Sequence, residues 1–219
     1  MIDLKALHGP HGNARVVVAG EPLQTAHAAL ILIHGRGATA ESILTLVPEL
    51  SLPNNPAFAF LAPQAVDNTW YPHSFLEPIE RNEPYLSSAI ALIGSLVSRI
   101  NGAGIPAERT FLLGFSQGAC LSLEFAARNA RRYGGILGLS GGLIGADNIP
   151  RDYPSTFDST PIFLGCSDVD FHIPKERVLE SADVLKEMGA TVDARLYPGM
   201  GHTINAEELD VVRGILART

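Results

Sequence analysis

The stretch that decides the fold runs from Thr110 to Ala119 and reads TFLLGFSQGA. Its apolar run through Leu113 is typical of a strand that is buried on both faces, as in a parallel sheet covered by helices. The pattern G-x-S-x-G follows, from Gly114 to Gly118, and an amphipathic run comes after it. A sharp turn between a buried strand and a helix would hold Ser116 above the sheet, where its hydroxyl can act as a nucleophile.

Working outward from this stretch, short apolar runs alternate with longer amphipathic ones along the chain. We predict strands at Arg15–Ala19, Ala28–His34, Ala57–Ala62, Thr110–Gly114, Gly135–Ser140, Pro161–Cys166 and Thr191–Tyr197. We predict helices at Thr39–Leu50, Pro84–Ile100, Gln117–Arg131, Lys175–Met188 and Ala206–Ala217. This β-then-α alternation predicts an α/β fold built on an open, doubly wound, mostly parallel sheet with helices on both faces.

Length and composition favour a single domain that spans residues 1–219. The chain is 46% hydrophobic and 18% charged, which is typical of a globular protein whose core needs no metal or disulfide. Its formal net charge of −7 disfavours nucleic acid as a partner, because no excess of positive charge is available to hold a phosphate backbone.

The cysteine count, the apolar runs and the N-terminal residues indicate the cellular compartment. Cys120 and Cys166 are the only cysteines and cannot form a disulfide framework, which fits a reducing compartment. No run approaches the roughly 18 apolar residues of a membrane span, and the first five residues do not resemble a signal peptide. We therefore expect a cytoplasmic protein.

The chain contains a second G-x-S-x-G pattern that competes with the one around Ser116. It runs from Gly138 to Gly142, with Ser140 at its centre, and it also ends an apolar strand. Turn-forming residues follow it, whereas an amphipathic helical run follows Ser116. Because a nucleophile turn has to lead into a helix, we expect Ser116 to be the nucleophile.

A serine nucleophile needs a general base and a carboxylate that orients the base. Two histidines follow Ser116 in the chain. His202 comes directly after the last predicted strand and is expected to be the base, while His172 is expected to line the pocket. Asp168 and Asp170 both follow the preceding strand, and their spacing does not decide which of them is the acid.

Backbone amides complete such a site by stabilising the oxyanion that forms during acyl transfer. One donor is expected to be the amide of Gln117, the residue after the nucleophile. The second is expected from the turn HGRG at residues 34–37, which follows a buried strand; the amide of Arg36 is the best candidate. We expect His34 itself to be structural.

One long connection, Pro63–Glu83, carries the only tryptophan and three prolines. Long loops inside compact domains are often functional, and the aromatic residues make disorder a poor explanation here. We expect Trp70, Tyr71 and Phe75 to line an apolar substrate pocket; for Trp70, a core residue that anchors the loop is an equally good interpretation. A second irregular stretch, Gly141–Thr160, is a candidate border of the same cleft.

With these residues placed, the chain resembles the phospholipase/carboxylesterase family of the α/β-hydrolase fold, which includes acyl-protein thioesterases and small bacterial carboxylesterases. The resemblance rests on LIHG at residues 32–35, Trp70 after the strand end at Ala62-Pro63, GFSQG at 114–118 and GMGH at 199–202. Family members place their acid in a D-x-x-x-P segment. Residues 170–174 fit that pattern, so the resemblance favours Asp170 over Asp168.

The resemblance implies a serine hydrolase that cleaves carboxylic esters through an acyl-enzyme, using Ser116, His202 and Asp170. The NTWYPHSF segment at residues 68–75 resembles the bacterial carboxylesterases, and a thioesterase or lysophospholipase acting on acylated proteins, acyl-CoA or lipids is the alternative.

Further expectations concern partners and size. We expect a small-molecule ester as substrate, no cofactor, no metal and a monomer or homodimer. His8 and His11 are spaced like metal ligands, but the sequence shows no further ligands to accompany them.

The chain is too short for a large cap domain, so an open cleft is expected. Arg36 is the one cation placed to favour an anionic or polar ester in that cleft.

Overall fold

A computed structural model describes residues 7–50, 57–147 and 149–218. The N-terminal residues used to judge a signal peptide lie outside these ranges. In this part of the chain seven strands form one sheet: β1 Val16–Gly20, β2 Ala28–Ile33, β3 Phe58–Pro63, β4 Thr110–Phe115, β5 Gly135–Leu139, β6 Pro161–Ser167 and β7 Thr191–Tyr197. Their order is β1-β3-β2-β4-β5-β6-β7, and every neighbouring pair is parallel except β1 and β3.

Helices cover both faces of the sheet, which confirms the predicted doubly wound architecture. Within the described ranges the five α-helices are α1 Ala40–Leu44, α2 Tyr85–Gly102, α3 Gln117–Arg128, α4 Lys175–Glu187 and α5 Ala206–Leu216. Helices α2, α3 and α4 contribute to one hydrophobic core, and α1 and α5 contribute to a second core on the opposite face. No helix in the described part of the chain is long and apolar enough to cross a membrane.

Strand β2 shows why its sequence is apolar throughout. All six of its side chains are fully buried. Ala29, Ile31 and Ile33 belong to the core under α2, α3 and α4, while Ala28, Leu30 and Leu32 belong to the core under α1 and α5. Because successive side chains in a strand point to opposite faces, a central strand between two helical layers has no position for a polar residue.

Two predicted helices are shorter in the structure by three residues or more. The helix predicted over Thr39–Leu50 is divided into α1 and a 3₁₀ turn at Val47–Leu50. Pro48 accounts for this, because its ring would clash with the carbonyl four residues earlier, where α1 ends. Helix α3 ends at Arg128 rather than at Arg131.

Because strands β2 to β7 are all parallel, their six carboxyl ends lie at one edge of the sheet. After β2 the chain adds β3 on one side of β2 and then β4 on its other side, so the direction in which successive strands are added reverses between β2 and β4. Ligands of open α/β sheets bind in the crevice at such a switch point, outside the carboxyl ends of the strands. Within the described ranges no connection between strands forms a separate cap domain over this edge.

Two glycines allow α3 to begin directly against the sheet. A Cβ atom at Gly118 would lie 2.1 Å from the carbonyl oxygen of Ile33, and one at Gly114 would lie 2.1 Å from the carbonyl oxygen of Gly118. Both obstacles are backbone atoms, so no side-chain rotation could relieve the clash. The glycines on either side of Ser116 are therefore required by the close packing of β2, β4 and α3.

We expect Gly118→Ala to lower the free energy of unfolding by about 1–3 kcal/mol, the usual cost of overpacking a core. The matched control is Gly214→Ala in α5, where an added Cβ would meet nothing within 4 Å. Alanine is the better helix former, so this control is expected to gain about 0.5–1 kcal/mol. Urea denaturation measures both changes, and similar midpoints for the two variants would contradict the packing argument.

Candidate active site

Ser116 occupies the turn between β4 and α3 in a backbone conformation that serine rarely adopts. Its φ is +56° and its ψ is −121°. Strain of this kind costs on the order of 1–3 kcal/mol and persists only where the surroundings enforce it. Here the Ser116 amide donates to the carbonyl oxygen of Leu139 at 2.9 Å, which ties the turn to the end of β5.

The structure brings Ser116, His202 and Asp170 into one hydrogen-bonded chain. His202 Nδ1 lies 2.6 Å from Asp170 Oδ2, and His202 Nε2 lies 2.9 Å from Ser116 Oγ. With Nδ1–H donating to the carboxylate, Nε2 is left to accept the proton of the serine hydroxyl. These three side chains follow β4, β6 and β7, so the parallel sheet itself sets their spacing.

The carboxylate of Asp170 is nearly enclosed and fully hydrogen-bonded. Its second oxygen, Oδ1, accepts from the amides of His172 at 2.9 Å and Ile173 at 3.1 Å. Burial by itself would raise the pKa of Asp170, but the hydrogen bonds from His202 and from these two amides outweigh it and lower the pKa below its usual value. Asp170 is therefore held as an anion beside the imidazole.

Asp168 binds the loop that carries His202 rather than the imidazole itself. Its Oδ1 accepts from the amide of Gly199 at 2.8 Å, and its own amide donates to the carbonyl of Tyr197 at 3.1 Å. Ser167 Oγ accepts from the amide of Gly201 at 3.0 Å in the same way. Asp168 thus shapes the loop that carries His202, while Asp170 contacts the imidazole directly.

Further contacts around His202 come from Phe115, which the sequence analysis did not assign to the site, and from His172, which it expected to line the pocket. The Phe115 ring packs against the imidazole with centroids 5.0 Å apart, and the His172 ring meets it edge-on at 4.8 Å. The loop then ends at Asn205, which shares a capping box with Glu208 at the start of α5. Burial raises the pKa of the Glu208 carboxyl to about 7.

The contact between Phe115 and the imidazole had one signal in the sequence, which is that Phe115 directly precedes Ser116.

The backbone amides of Gln117 and Arg36 have no hydrogen-bond acceptor in the described residues and can therefore bind an oxyanion. The amide of Gln117 belongs to the first turn of α3, whose N–H groups have no partner within the helix. The turn that contains Arg36 lies directly beside the serine, since a Cβ at Gly35 would be 3.4 Å from Ser116 Cβ. Within the described ranges no acceptor takes the amide hydrogen of Arg36 or of Gln117.

A cleft of about 490 Å³ opens beside the serine. Its lining includes Ser116 and His202 together with Tyr71, Phe75 and His172, three of the residues expected to contact substrate. The segment 71–75 of the long Pro63–Glu83 connection forms one wall. The stretch 141–160, which was the other candidate border, contributes none of its described residues to this lining.

Trp70 does not line the cleft, so the expectation that it contacts substrate is wrong. Its side chain is completely buried, and its ring packs at a tilt against that of His34 with centroids 4.9 Å apart. Its indole N–H donates to the carbonyl of His34 at 2.8 Å. On its other side, His11 Nε2 lies 3.0 Å from the Trp70 carbonyl oxygen. Trp70 therefore anchors the loop, and His11 is part of that anchor.

The remaining polar groups of the cleft are committed to the fold. The guanidinium of Arg36 donates to the carbonyl oxygens of Tyr71, Pro72 and His73. Cys120 lies at the edge of the cleft and Cys166 lies behind Asp170; neither forms a disulfide. Burial raises the pKa of both thiols to about 12, so neither is a nucleophile at neutral pH.

Comparison with known proteins relates the whole chain to one group. The profile of the Phospholipase/Carboxylesterase family matches residues 12–219. The chain is 31% identical to acyl-protein thioesterase 1 of Neurospora crassa over 211 residues, 86% of this chain and 85% of that protein. It is 27% identical to carboxylesterase SOBER1 of Arabidopsis thaliana over 159 residues, 70% of this chain and 69% of that protein. Among solved structures, a phospholipase/carboxylesterase from Dyadobacter fermentans superimposes with a TM-score of 0.89 at 42% identity, covering 97% of this chain and 100% of that one.

The two aspartates of the acid loop can be separated by experiment. We expect Asp170→Asn to slow the reaction of Ser116 with a fluorophosphonate about 10³–10⁴-fold, because an amide at this position favours the wrong imidazole tautomer. Asp168→Asn is the matched control and is expected to slow it less than about tenfold, since it leaves the hydrogen bond to His202 Nδ1 intact. A larger loss in the Asp168 variant would reverse the assignment.

Proposed function

The chain belongs to the phospholipase/carboxylesterase family of α/β-hydrolases, and we propose that it cleaves carboxylic esters of small-molecule or acyl-chain substrates through a triad of Ser116, His202 and Asp170. The observation that carries the proposal is the continuous hydrogen-bond chain from Asp170 Oδ2 through both nitrogens of His202 to Ser116 Oγ. Nucleophile, base and orienting acid are within the reach that acyl transfer needs.

The first half of the proposed reaction forms an acyl-enzyme. His202 Nε2 takes the proton of Ser116 Oγ as the oxygen attacks the ester carbonyl carbon. The carboxylate of Asp170 stabilises the imidazolium that results. His202 then returns the proton to the leaving alcohol as the carbon–oxygen bond breaks.

The negative charge on the carbonyl oxygen is stabilised by the amides of Arg36 and Gln117. Removing one donor from an oxyanion hole typically costs about 2.7–4 kcal/mol of transition-state stabilisation. The dipole of α3, whose first residue is Gln117, adds to the effect because its positive end faces the same position. This stabilisation is stronger in the transition state than for the neutral ester, so it increases kcat.

The second half repeats these steps with water in place of the serine. His202 removes a proton from the water as it attacks the acyl-enzyme, and then protonates Ser116 Oγ as the acid is released. The net reaction consumes one ester and one water and releases one alcohol and one acid. None of these steps requires a cofactor or a metal.

The cleft supports a small or medium-sized substrate. A volume of about 490 Å³ falls within the usual range for small-molecule sites. The apolar sides of Tyr71 and Phe75 suit an acyl chain or an aromatic alcohol, and His172 stands beside the imidazole where the leaving group departs.

A thioesterase is the second candidate, and the similarity of the chain to acyl-protein thioesterase 1 from several fungi favours it. The same triad would serve, but the leaving group differs. A thiol has a pKa near 8.5 and leaves without much assistance, whereas an alkoxide needs the proton that His202 supplies.

Matched oxyesters and thioesters with graded acyl chains distinguish the two candidates. Because the site is built to protonate a leaving alcohol, we expect kcat/KM for oxyesters to equal or exceed that for thioesters of the same acyl chain. We also expect kcat/KM to vary with chain length, since one wall of the cleft is apolar. A tenfold preference for thioesters would favour the thioesterase, and a flat chain-length profile would contradict the assigned acyl pocket.

Ser116→Ala is expected to fold normally, to retain less than about a thousandth of the ester hydrolysis and to escape labelling by a fluorophosphonate. Ser140→Ala is the matched control, because Ser140 centres the other G-x-S-x-G pattern and also has a positive φ, +55°. Ser140 is fully buried, so this control should keep its labelling. Residual hydrolysis above a thousandth in the Ser116 variant would contradict the proposed nucleophile.

A further inference from the structure

The two residues proposed to supply the oxyanion amides also direct their side chains to the same place. Gln117 Nε2 donates to the carbonyl oxygen of Tyr71 at 2.8 Å, and Arg36 Nη2 donates to that same oxygen at 3.0 Å. The carbonyl oxygen of Tyr71 therefore links the side chains of the two residues whose backbone amides are proposed to form the oxyanion hole. This arrangement has no part in the triad chemistry and calls for a separate explanation.

Arg36 binds two further carbonyls of this segment. Its Nη1 donates to Pro72 O at 2.9 Å, and its Nη2 also donates to His73 O at 2.7 Å. Three consecutive carbonyl oxygens thus converge on one guanidinium, which can serve them at once because its N–H groups point outward in a fixed plane. An ammonium group carries the same charge but has no such planar fork, so lysine could not reproduce this set of contacts.

Residues 70–73, which include the three carbonyls that Arg36 binds, are fixed to the rest of the fold at both ends. At one end the buried Trp70 donates through its indole to His34 O at 2.8 Å and through its amide to Gln117 Oε1 at 2.9 Å. At the other end the amide of His73 donates to Oδ1 of the buried Asn82 at 2.9 Å. The segment is therefore a rigid support rather than a loose loop.

The turn that presents the Arg36 amide has much less support of its own. It lies between Gly35 and Gly37, the latter with a φ of +74°, so its backbone has wide conformational freedom. Its hydrogen bonds run from Gly37 N to Asn68 O at 2.8 Å, from Ala38 N to Gly35 O at 3.2 Å, and between the His34 ring Nδ1 and Gly35 O at 2.8 Å. The first of these ties the turn to another segment, whereas the other two lie between neighbouring residues of the turn. The amide of Gln117, in contrast, is oriented by α3. The donor whose direction depends on extra bracing is therefore that of Arg36.

We propose that the Arg36 side chain is a positioning group for the oxyanion hole: by binding the carbonyls of residues 71–73, it fixes the turn from which its own backbone amide faces Ser116. The proposal rests on the proposed hydrolase function. It assigns the charge of Arg36 to the protein's own carbonyls, whereas the sequence suggested that this charge attracts an anionic substrate.

Arg36→Lys tests the proposal because it keeps the charge and removes the planar fork. With a neutral ester, we expect kcat to fall about tenfold or more while KM changes less than about threefold, because the lost contact acts in the transition state. Affinity for an alkylboronic acid, which bonds to the serine and places a negative oxygen in the oxyanion hole, should fall by a similar factor. Arg81→Lys, an exposed residue paired with Glu77, is the matched control and should change neither quantity.

Arg36→Ala tests whether the covalent link between the guanidinium and the turn matters. With a neutral ester, we expect kcat and boronate affinity to fall at least as far as in Arg36→Lys, with KM again changed less than about threefold. Methylguanidinium at millimolar concentration should not restore kcat, because a free guanidinium can bind the three carbonyls without holding the backbone of residue 36; restoration would show that the guanidinium acts on residues 71–73 rather than on the turn and would contradict the proposal. Urea denaturation of each variant checks that the fold is retained, and if Arg36→Lys proves unfolded, the kcat and boronate affinity of Arg36→Ala decide the question.

The possible results separate the two proposals. If Arg36→Lys keeps kcat and boronate affinity within twofold on neutral esters, Arg36 does not position the hole. If its loss is confined to a higher KM for anionic esters, Arg36 binds substrate and the positioning proposal is again wrong. If the wild type shows no hydrolysis that depends on Ser116, the hydrolase proposal itself fails and the positioning proposal fails with it.

Discussion

The site depends on one steric constraint, the close approach of α3 to the ends of β2 and β4. No atom larger than hydrogen fits on the α-carbons of Gly114 or Gly118, because backbone carbonyl and amide atoms already occupy the space. This contact forces the chain through the strained turn at Ser116, and the start of α3 then faces the position beside its hydroxyl. The strain of one residue is small compared with the burial that the packed strands and helix provide.

Everything else in the site is arranged around that turn by the parallel sheet. Asp170 and His202 reach the serine because β6 and β7 run parallel to β4 and end at the same edge. The loop after β3 reaches it from the other side, held by Trp70 and bound by Arg36 and Gln117. Rigid strands supply the reacting groups, while a braced loop supplies the wall of the cleft. A hydrolase of this kind needs no moving domain to complete its site.

Sequence reasoning failed where a residue type fits two environments equally well. Trp70 is as suitable for a substrate wall as for a core anchor, and the His34 ring and carbonyl that enclose it are 36 residues away in the chain. The helix predicted over Thr39–Leu50 followed an amphipathic pattern, and the steric effect of Pro48 overrode that pattern. The acid was ambiguous from spacing alone because two aspartates two residues apart both follow β6, and only their partners in the His202 loop distinguish them.

The sequence by itself determined most of the strand and helix pattern, the turn at Ser116 and the histidine that reaches its hydroxyl, because these follow from local periodicity, glycine sterics and chain order. Tertiary structure showed which aspartate meets His202, a choice that spacing had left open, and it alone decided which aromatic residues face the cleft and which groups the Arg36 guanidinium binds. Those outcomes depend on contacts between segments that are far apart in the chain, such as the three carbonyls that Arg36 binds more than thirty residues away. Such contacts arise only when the sheet brings its strand ends together, and no local pattern encodes them.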